Sequence, residues 1–185
     1  CTGRAAQRWQ VGTGGRLVNQ ASGRCLAGPG RSTANGRRVR IRSCTGRANQ
    51  LWLLPAGPVA SQIPGRCLDD SGNGTVSGTP VDLHGCDGGA AQAWQVRPDG
   101  TLRIQRKCLA AASPGAPSGS LVELRSCSGG RAQRWHIIAA GAGESLLNPA
   151  SGRCLSDPAD ATANGTRPVL AACSASDPGM AWRVR

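Results

Sequence analysis

The sequence predicts an all-β fold assembled from one short unit, used four times in full and once in part. Three observations carry that reading. Cysteines recur in pairs 19 residues apart, tryptophans recur at intervals of 41 to 47, and a turn glycine keeps a fixed distance from the second cysteine of each pair. Composition agrees, because 27 Gly and 12 Pro among 185 residues interrupt long helices and favour short strands joined by turns.

The pairs are Cys25 and Cys44, Cys67 and Cys86, Cys108 and Cys127, and Cys154 and Cys173. Eight cysteines allow 105 pairings, but identical spacing in four units favours a bridge within each unit. Each such loop of about 20 residues adds roughly 3 kcal/mol on the chain-entropy estimate. Cys1 precedes Trp9 by the same 8 residues that separate the second cysteine from the Trp in the first three units. It reads as a second cysteine whose partner lies upstream.

Gly36, Gly78, Gly119 and Gly165 each lie eight residues before a second cysteine, in sequences such as Ala-Asn-Gly and Pro-Ser-Gly that signal a turn of positive φ. The run that follows alternates: Val39 and Ile41 against Arg40 and Arg42, Val81 and Leu83 against Asp82 and His84. A strand with one buried and one exposed face is expected. Alternation fails at Pro168-Val169-Leu170, which predicts a less regular strand in the last unit. Recurrence at fixed phase assigns Trp9, Trp52, Trp94, Trp135 and Trp182 to packing rather than to exposed stacking platforms. The Gln two places before each of the first four is expected to tie a backbone turn.

Nine cysteines without a CxxC motif point to an oxidising, extracellular setting rather than to zinc, for which only His84 and His136 could help. The chain begins at Cys1 with no leader pattern, so it reads as a mature product or a fragment. No apolar run approaches the roughly 18 residues of a membrane span.

The best internal matches lie three units apart. Leu-Val-Asn-Gln-Ala-Ser-Gly-Arg-Cys at 17–25 recurs almost unchanged at 146–154, and Ala-Gln-Arg-Trp at 6–9 recurs at 132–135. A period of three implies that three units close one body. A small β-propeller has a similar repeat length, but the threefold period and one bridge per unit argue against it. With Gln7-Arg8-Trp9, Gln50-Leu51-Trp52, Gln92-Ala93-Trp94 and Gln133-Arg134-Trp135, degrading to Met180-Ala181-Trp182, the chain resembles the ricin-B-type β-trefoil lectins. These include bacterial carbohydrate-binding modules appended to secreted glycoside hydrolases. The resemblance implies a complete trefoil over 56–185, preceded at 1–55 by the end of the second repeat and all of the third repeat of an incomplete one. Apolar edges of that incomplete body would need another segment or chain to cover them.

In the family it resembles, a sugar is held by an Asp two residues after the first cysteine. A polar and an aromatic residue four and two places before the second cysteine assist, as does an Asn before the Gln. Only the Cys67 unit keeps the Asp, and the implied carbohydrate-binding set is Asp69, Asp82, His84 and Gln92, with Ala91 where Asn is wanted. Asp69 beside Asp70 also reads as a turn residue or a surface charge. The other units present Ala27, Arg40, Arg42 and Asn49; Ala110, Glu123, Arg125 and Ala132; and Ser156, Val169, Ala171 and Gly179, with Asp157 one place late. The resemblance implies galactose-, xylose- or arabinose-type glycans and no cofactor. A decayed trefoil serving as a structural or protein-contacting spacer is the alternative.

Charge is uneven. Residues 1–55 hold ten Arg and no acid, a net +10, whereas 56–185 carry +2. Such a surface suits acidic polysaccharide, although an excess of Arg over Lys of twenty-one to one also fits GC-rich coding. Basic residues are not interleaved with exposed aromatics, which argues against nucleic acid. No nucleophile elbow, phosphate loop or metal motif is present, and turn carboxylates such as Asp69 and Asp70 do not build the cleft that glycoside hydrolysis needs. An enzyme is not expected in this stretch, though a hydrolase could precede it. The two Asn-Gly-Thr triplets at Asn73 and Asn164 coincide with turns and carry no weight as glycosylation sites.

Overall fold

A computed structural model describes residues 2, 4–30, 34–140 and 143–185. Among these the only helical pieces are 3₁₀ turns of three residues. Cys1 lies outside the described residues. Strands β1 (Trp9–Gly12), β2 (Arg16–Asn19), β3 (Cys25–Ala27) and β4 (Arg40–Arg42) form one antiparallel sheet in that order.

The chain then runs three times through the same four strands. The first pass gives β5 (Val59–Ser61), β6 (Arg66–Asp69), β7 (Asp82–Gly85) and β8 (Gln95–Val96). The second gives β9 (Leu102–Ile104), β10 (Lys107–Ala111), β11 (Val122–Ser126) and β12 (His136–Ala140). The third gives β13 (Gly143–Asn148), β14 (Arg153–Ser156), β15 (Val169–Ala171) and β16 (Trp182–Val184). The fourth strand of each pass pairs with the first strand of the next: β8 with β9, β12 with β13, and β16 back to β5. Within each pass the chain at the start of the first strand also meets that at the start of the fourth, at Gly57 and Trp94 and at Gly100 and Trp135 just outside the strands, and at Glu144 and Trp182 within them. The ring therefore closes on itself, as the threefold period requires, and among the described residues no barrel strand is left as an open edge.

The remaining strands make three hairpins that cap the ring. Each turn glycine, with φ of 93°, 85° and 82° at Gly78, Gly119 and Gly165, donates its N–H to the carbonyl of the buried leucine of a neighbouring hairpin: Leu124, Leu170 and Leu83. Those bonds are 2.7, 2.8 and 2.9 Å long. A side chain at these glycines would strain the turn that makes the bond. All three leucines are fully buried, in one core with Trp94, Trp135 and Trp182. The last hairpin forms despite its broken alternation, since Val169 pairs with Ser156 and Leu170 with Leu155, and Pro168 stays outside the strand.

Every unit shares the same local ties. The four disulfides join the expected partners, with Cα atoms 5.0 to 5.2 Å apart. Each Trp indole from Trp52 onward donates to the carbonyl of the residue after the first cysteine: Leu26 (3.2 Å), Leu68 (2.8 Å), Leu109 (3.0 Å) and Leu155 (3.0 Å). The Gln side chain straddles the second cysteine as expected. Gln133 accepts from the Ser128 N–H and donates to the Ser126 carbonyl, both at 2.8 Å, and Gln50 does the same with Thr45 and Ser43. Met180 takes this place in the last unit, its sulfur 3.3 Å from the Ser174 N–H.

Two expectations fail in the first segment. Trp9 is 38 % exposed and Trp52 only half-buried, so neither packs as Trp94, Trp135 and Trp182 do. Val39 and Ile41 are exposed although their strand alternates, and Arg40–Arg42 has no buried face. The physical reason is the same for all four: the groups that would cover them belong to neighbouring hairpins, and among the described residues this sheet has none. The segment touches the ring through β1, whose Val11 packs against the core, and through the β1–β2 turn, where the Thr13 hydroxyl accepts from the Ile137 N–H (2.9 Å) and lies 3.2 Å from the Ile137 carbonyl.

Candidate functional site

The β6–β7 hairpin sets Asp69 opposite Asp82 and Cys67 opposite His84. Because side chains alternate across a strand, that register puts Asp69, Asp82 and His84 on the face turned away from Leu68 and Leu83. Asp69 Oδ2 accepts from Gln92 Nε2 at 3.1 Å. The same amide nitrogen donates to the Gly85 carbonyl at 2.8 Å, while Gln92 Oε1 accepts from the Asp87 N–H at 3.0 Å. Gln92 is 1 % exposed. Its amide holds the Asp69 carboxylate in place.

Asp69 is only 7 % exposed, Asp82 is half-buried and His84 stands in solvent. Burial raises the Asp82 carboxyl above its ordinary range; the Ser71 hydroxyl counters this and the Asp69 charge adds to it, with His84 and Arg167 pulling back. Asp70 is fully buried, and its carboxylate makes no hydrogen bond of normal geometry among the described residues, although the Asn73 backbone and the Gln105 side chain lie close enough to oppose the rise in its pKa. Burial first and the adjacent Asp69 charge second push it up to about 6. Three carboxyls thus lie close enough here for the charge of Asp69 to raise both of its neighbours.

The equivalent places elsewhere are filled differently. Glu123 accepts from Arg125 Nε at 2.6 Å and is paired within its own strand, opposite Ala110. Asp157 is spoken for by the loop around it, accepting from the Ser61 hydroxyl (3.3 Å) and the Ala161 N–H (3.1 Å), beside buried Ser156. Asn164 is likewise occupied, its Oδ1 accepting from the Gly85 N–H at 3.0 Å and from Arg66. In the first segment Ala27 faces Arg40, and Arg37 and Arg38 join Arg40, Arg42 and Asn49 around a cavity of about 610 Å³. Counting back from the second cysteine singles out Arg40 and Arg42 but not Arg37 and Arg38. Their signal was the pair of arginines directly after the turn glycine.

Among the described residues no three His, Cys, Asp or Glu side chains could share a metal ion, and no helix is long and apolar enough to cross a membrane. Four disulfides in a chain of this size fit an extracellular protein.

Comparison with known families gives two matches: the ricin-type beta-trefoil lectin domain over residues 55–182, and the ricin-type beta-trefoil lectin domain-like family over 5–63. Among solved structures, the designed threefold-symmetric protein ThreeFoil is 25 % identical, with a TM-score of 0.63 over 70 % of this chain and 97 % of its own. A non-toxic homologue of type II RIPs from bitter gourd, Momordica charantia, solved with α-methyl-D-galactoside, is 19 % identical with a TM-score of 0.59, over 95 % of this chain and 66 % of its own. The C-half of an earthworm R-type lectin in complex with GalNAc is 12 % identical, with a TM-score of 0.59 over 71 % of this chain and 98 % of its own. The chain thus spans about two thirds of the bitter-gourd protein. No curated protein matches it by sequence.

Proposed function

The chain belongs to the ricin-type β-trefoil lectins, and from that premise we propose that it binds carbohydrate without catalysing a reaction, through Asp69, Asp82 and His84 on the β6–β7 hairpin. The observation that carries this is the Asp69 carboxylate, steadied by Gln92 and facing Asp82 across the hairpin. Ionised carboxylates are strong acceptors for sugar hydroxyls, and the exposed imidazole of His84 offers a flat face to the ring. A galactose-type sugar is the first candidate, since the bitter-gourd and earthworm proteins were solved with α-methyl-D-galactoside and GalNAc. With one such hairpin, affinity per site is weak and useful retention depends on multivalency.

The wider proposal is that 56–185 form one trefoil and 1–55 the end of another, within a secreted protein that the module directs to polysaccharide or cell-surface glycans. One observation favours a second reading. Asp69 is 7 % exposed, which suits a residue that only braces the hairpin of a structural spacer. Binding to immobilised α-galactoside and GalNAc, measured for the wild type and Asp69→Ala with near-UV circular dichroism as a folding control, decides between them. Binding lost in the folded variant supports the lectin reading. No binding by the wild type, or equal binding by both, leaves the spacer.

A further inference from the structure

We propose that the cavity walled by Arg37, Arg38, Arg40 and Arg42 in the first segment is a second binding site, charge-inverted relative to the Asp69 hairpin, that takes an acidic polysaccharide through its carboxylate or sulfate groups. The register makes the inversion explicit. Ala27 pairs with Arg40 and Cys25 with Arg42, just as Asp69 pairs with Asp82 and Cys67 with His84. Two acidic side chains, Asp69 and Asp82, face the one site and four guanidinium groups line the other.

The cavity is built as well as charged. It is an open concavity of about 610 Å³, and Asn49 sits in its wall with its side-chain amide donating to the Gly28 carbonyl at 3.2 Å. The Gly28 N–H returns a bond to the Asn49 carbonyl at 2.7 Å, which fixes that wall to β3. No acid lies within residues 1–55 to neutralise the arginines. The ion pairs among the described residues are Arg103–Asp99 and Arg125–Glu123, so all four guanidinium groups lack an acidic partner. Like charges gathered around one concavity repel, and a bound anion removes that cost while accepting the planar, paired hydrogen bonds guanidinium groups favour.

A neutral sugar finds no carboxylate here to accept from its hydroxyls. A nucleic acid finds no aromatic side chain in the lining on which a base could stack. A chain of acidic sugars needs neither. The site stands apart from the Asp69 hairpin, so the two can fail separately.

The test is binding of the whole chain to polygalacturonate, dextran sulfate, neutral dextran and single-stranded DNA at low and physiological salt. Wild type, Arg40→Gln/Arg42→Gln, Arg24→Gln/Arg47→Gln and Asp69→Ala are compared. Retention on polygalacturonate, on dextran sulfate or on both is expected, the pattern telling carboxylate from sulfate. Affinity should fall about tenfold, or ~1.4 kcal/mol, in Arg40→Gln/Arg42→Gln, and stay near wild type in Asp69→Ala. The Arg24/Arg47 pair removes the same charge from the same segment outside the cavity. An equal loss in both arginine pairs shows general attraction with no site and overturns the proposal. Retention on neither acidic polymer, or tighter binding to DNA than to either, overturns it too.

Discussion

Leu124 and Ile41 hold the same place in their units, three residues before the second cysteine, yet Leu124 is fully buried and Ile41 is 46 % exposed. The same contrast divides Trp135 from Trp9. Each first-segment hairpin residue nevertheless keeps its local bonds: the disulfide, the Gln50 tie and the indole bond of Trp52 are all in place. A unit of this kind can therefore shape its own loops but cannot bury its own apolar face. Burial comes from the next hairpin in the triangle, and residues 59–184 supply three hairpins where the first segment shows one.

The largest test of that contrast is truncation at the matched position. Leu124→Ala should cost about 2–5 kcal/mol by denaturant unfolding, while Ile41→Ala costs well under 1 kcal/mol, because an exposed side chain leaves no cavity. Similar costs at both sites would mean that Ile41 is covered in solution, by a second copy or another segment.

Next in size is pH. All acids lie beyond residue 55, so titration of buried carboxyls acts on the ring alone. The Asp70 carboxyl is raised from 3.8 to about 6, and burial raises Asp157, Asp82 and Glu144 as well. A carboxyl with a raised folded pKa binds its proton more tightly in the folded state. Its contribution is present below about pH 4 and is lost as pH rises through 6. The ring should melt at a higher temperature at pH 5 than at pH 7. Asp70→Asn should flatten that slope and add about 1–2 kcal/mol at pH 7. A melting temperature that rises steadily from pH 5 to 7 in the wild type would contradict this.

The smallest effect should be the same in both regions. Gln50→Ala and Gln133→Ala each remove three bonds from a buried side chain, at a net cost of about 1 kcal/mol for each variant. Hydrogen exchange at the Thr45 and Ser128 amides reads the local tie directly. Faster exchange at Ser128 alone would show that the Gln tie depends on the ring after all.

Much of the candidate site could be read in advance, because its parts are spaced along the chain. Asp69, Asp82 and His84 follow from counting to the cysteines, and the hairpin register brings them together. Gln92 was legible as a turn tie, but its hold on Asp69 was not, since nothing in a Gln two places before a Trp says which carboxylate its amide will meet. Asp70 and Asp157 look like surface acids in the sequence. Each follows the buried end of a hairpin strand, and both are enclosed. The cavity of Arg37, Arg38, Arg40 and Arg42 needed the structure, because a run of arginines alone does not say whether it lies flat or lines a concavity.

The sequence by itself determined the unit: its bridges, turn glycines and Gln ties. All of these join residues fewer than thirty apart, where spacing alone constrains which groups can meet. Tertiary structure decided what each unit buries. Identical motifs sit in the core at Trp135 and partly exposed at Trp9, because an apolar face gains only from the neighbour that covers it, and that neighbour lies in another unit.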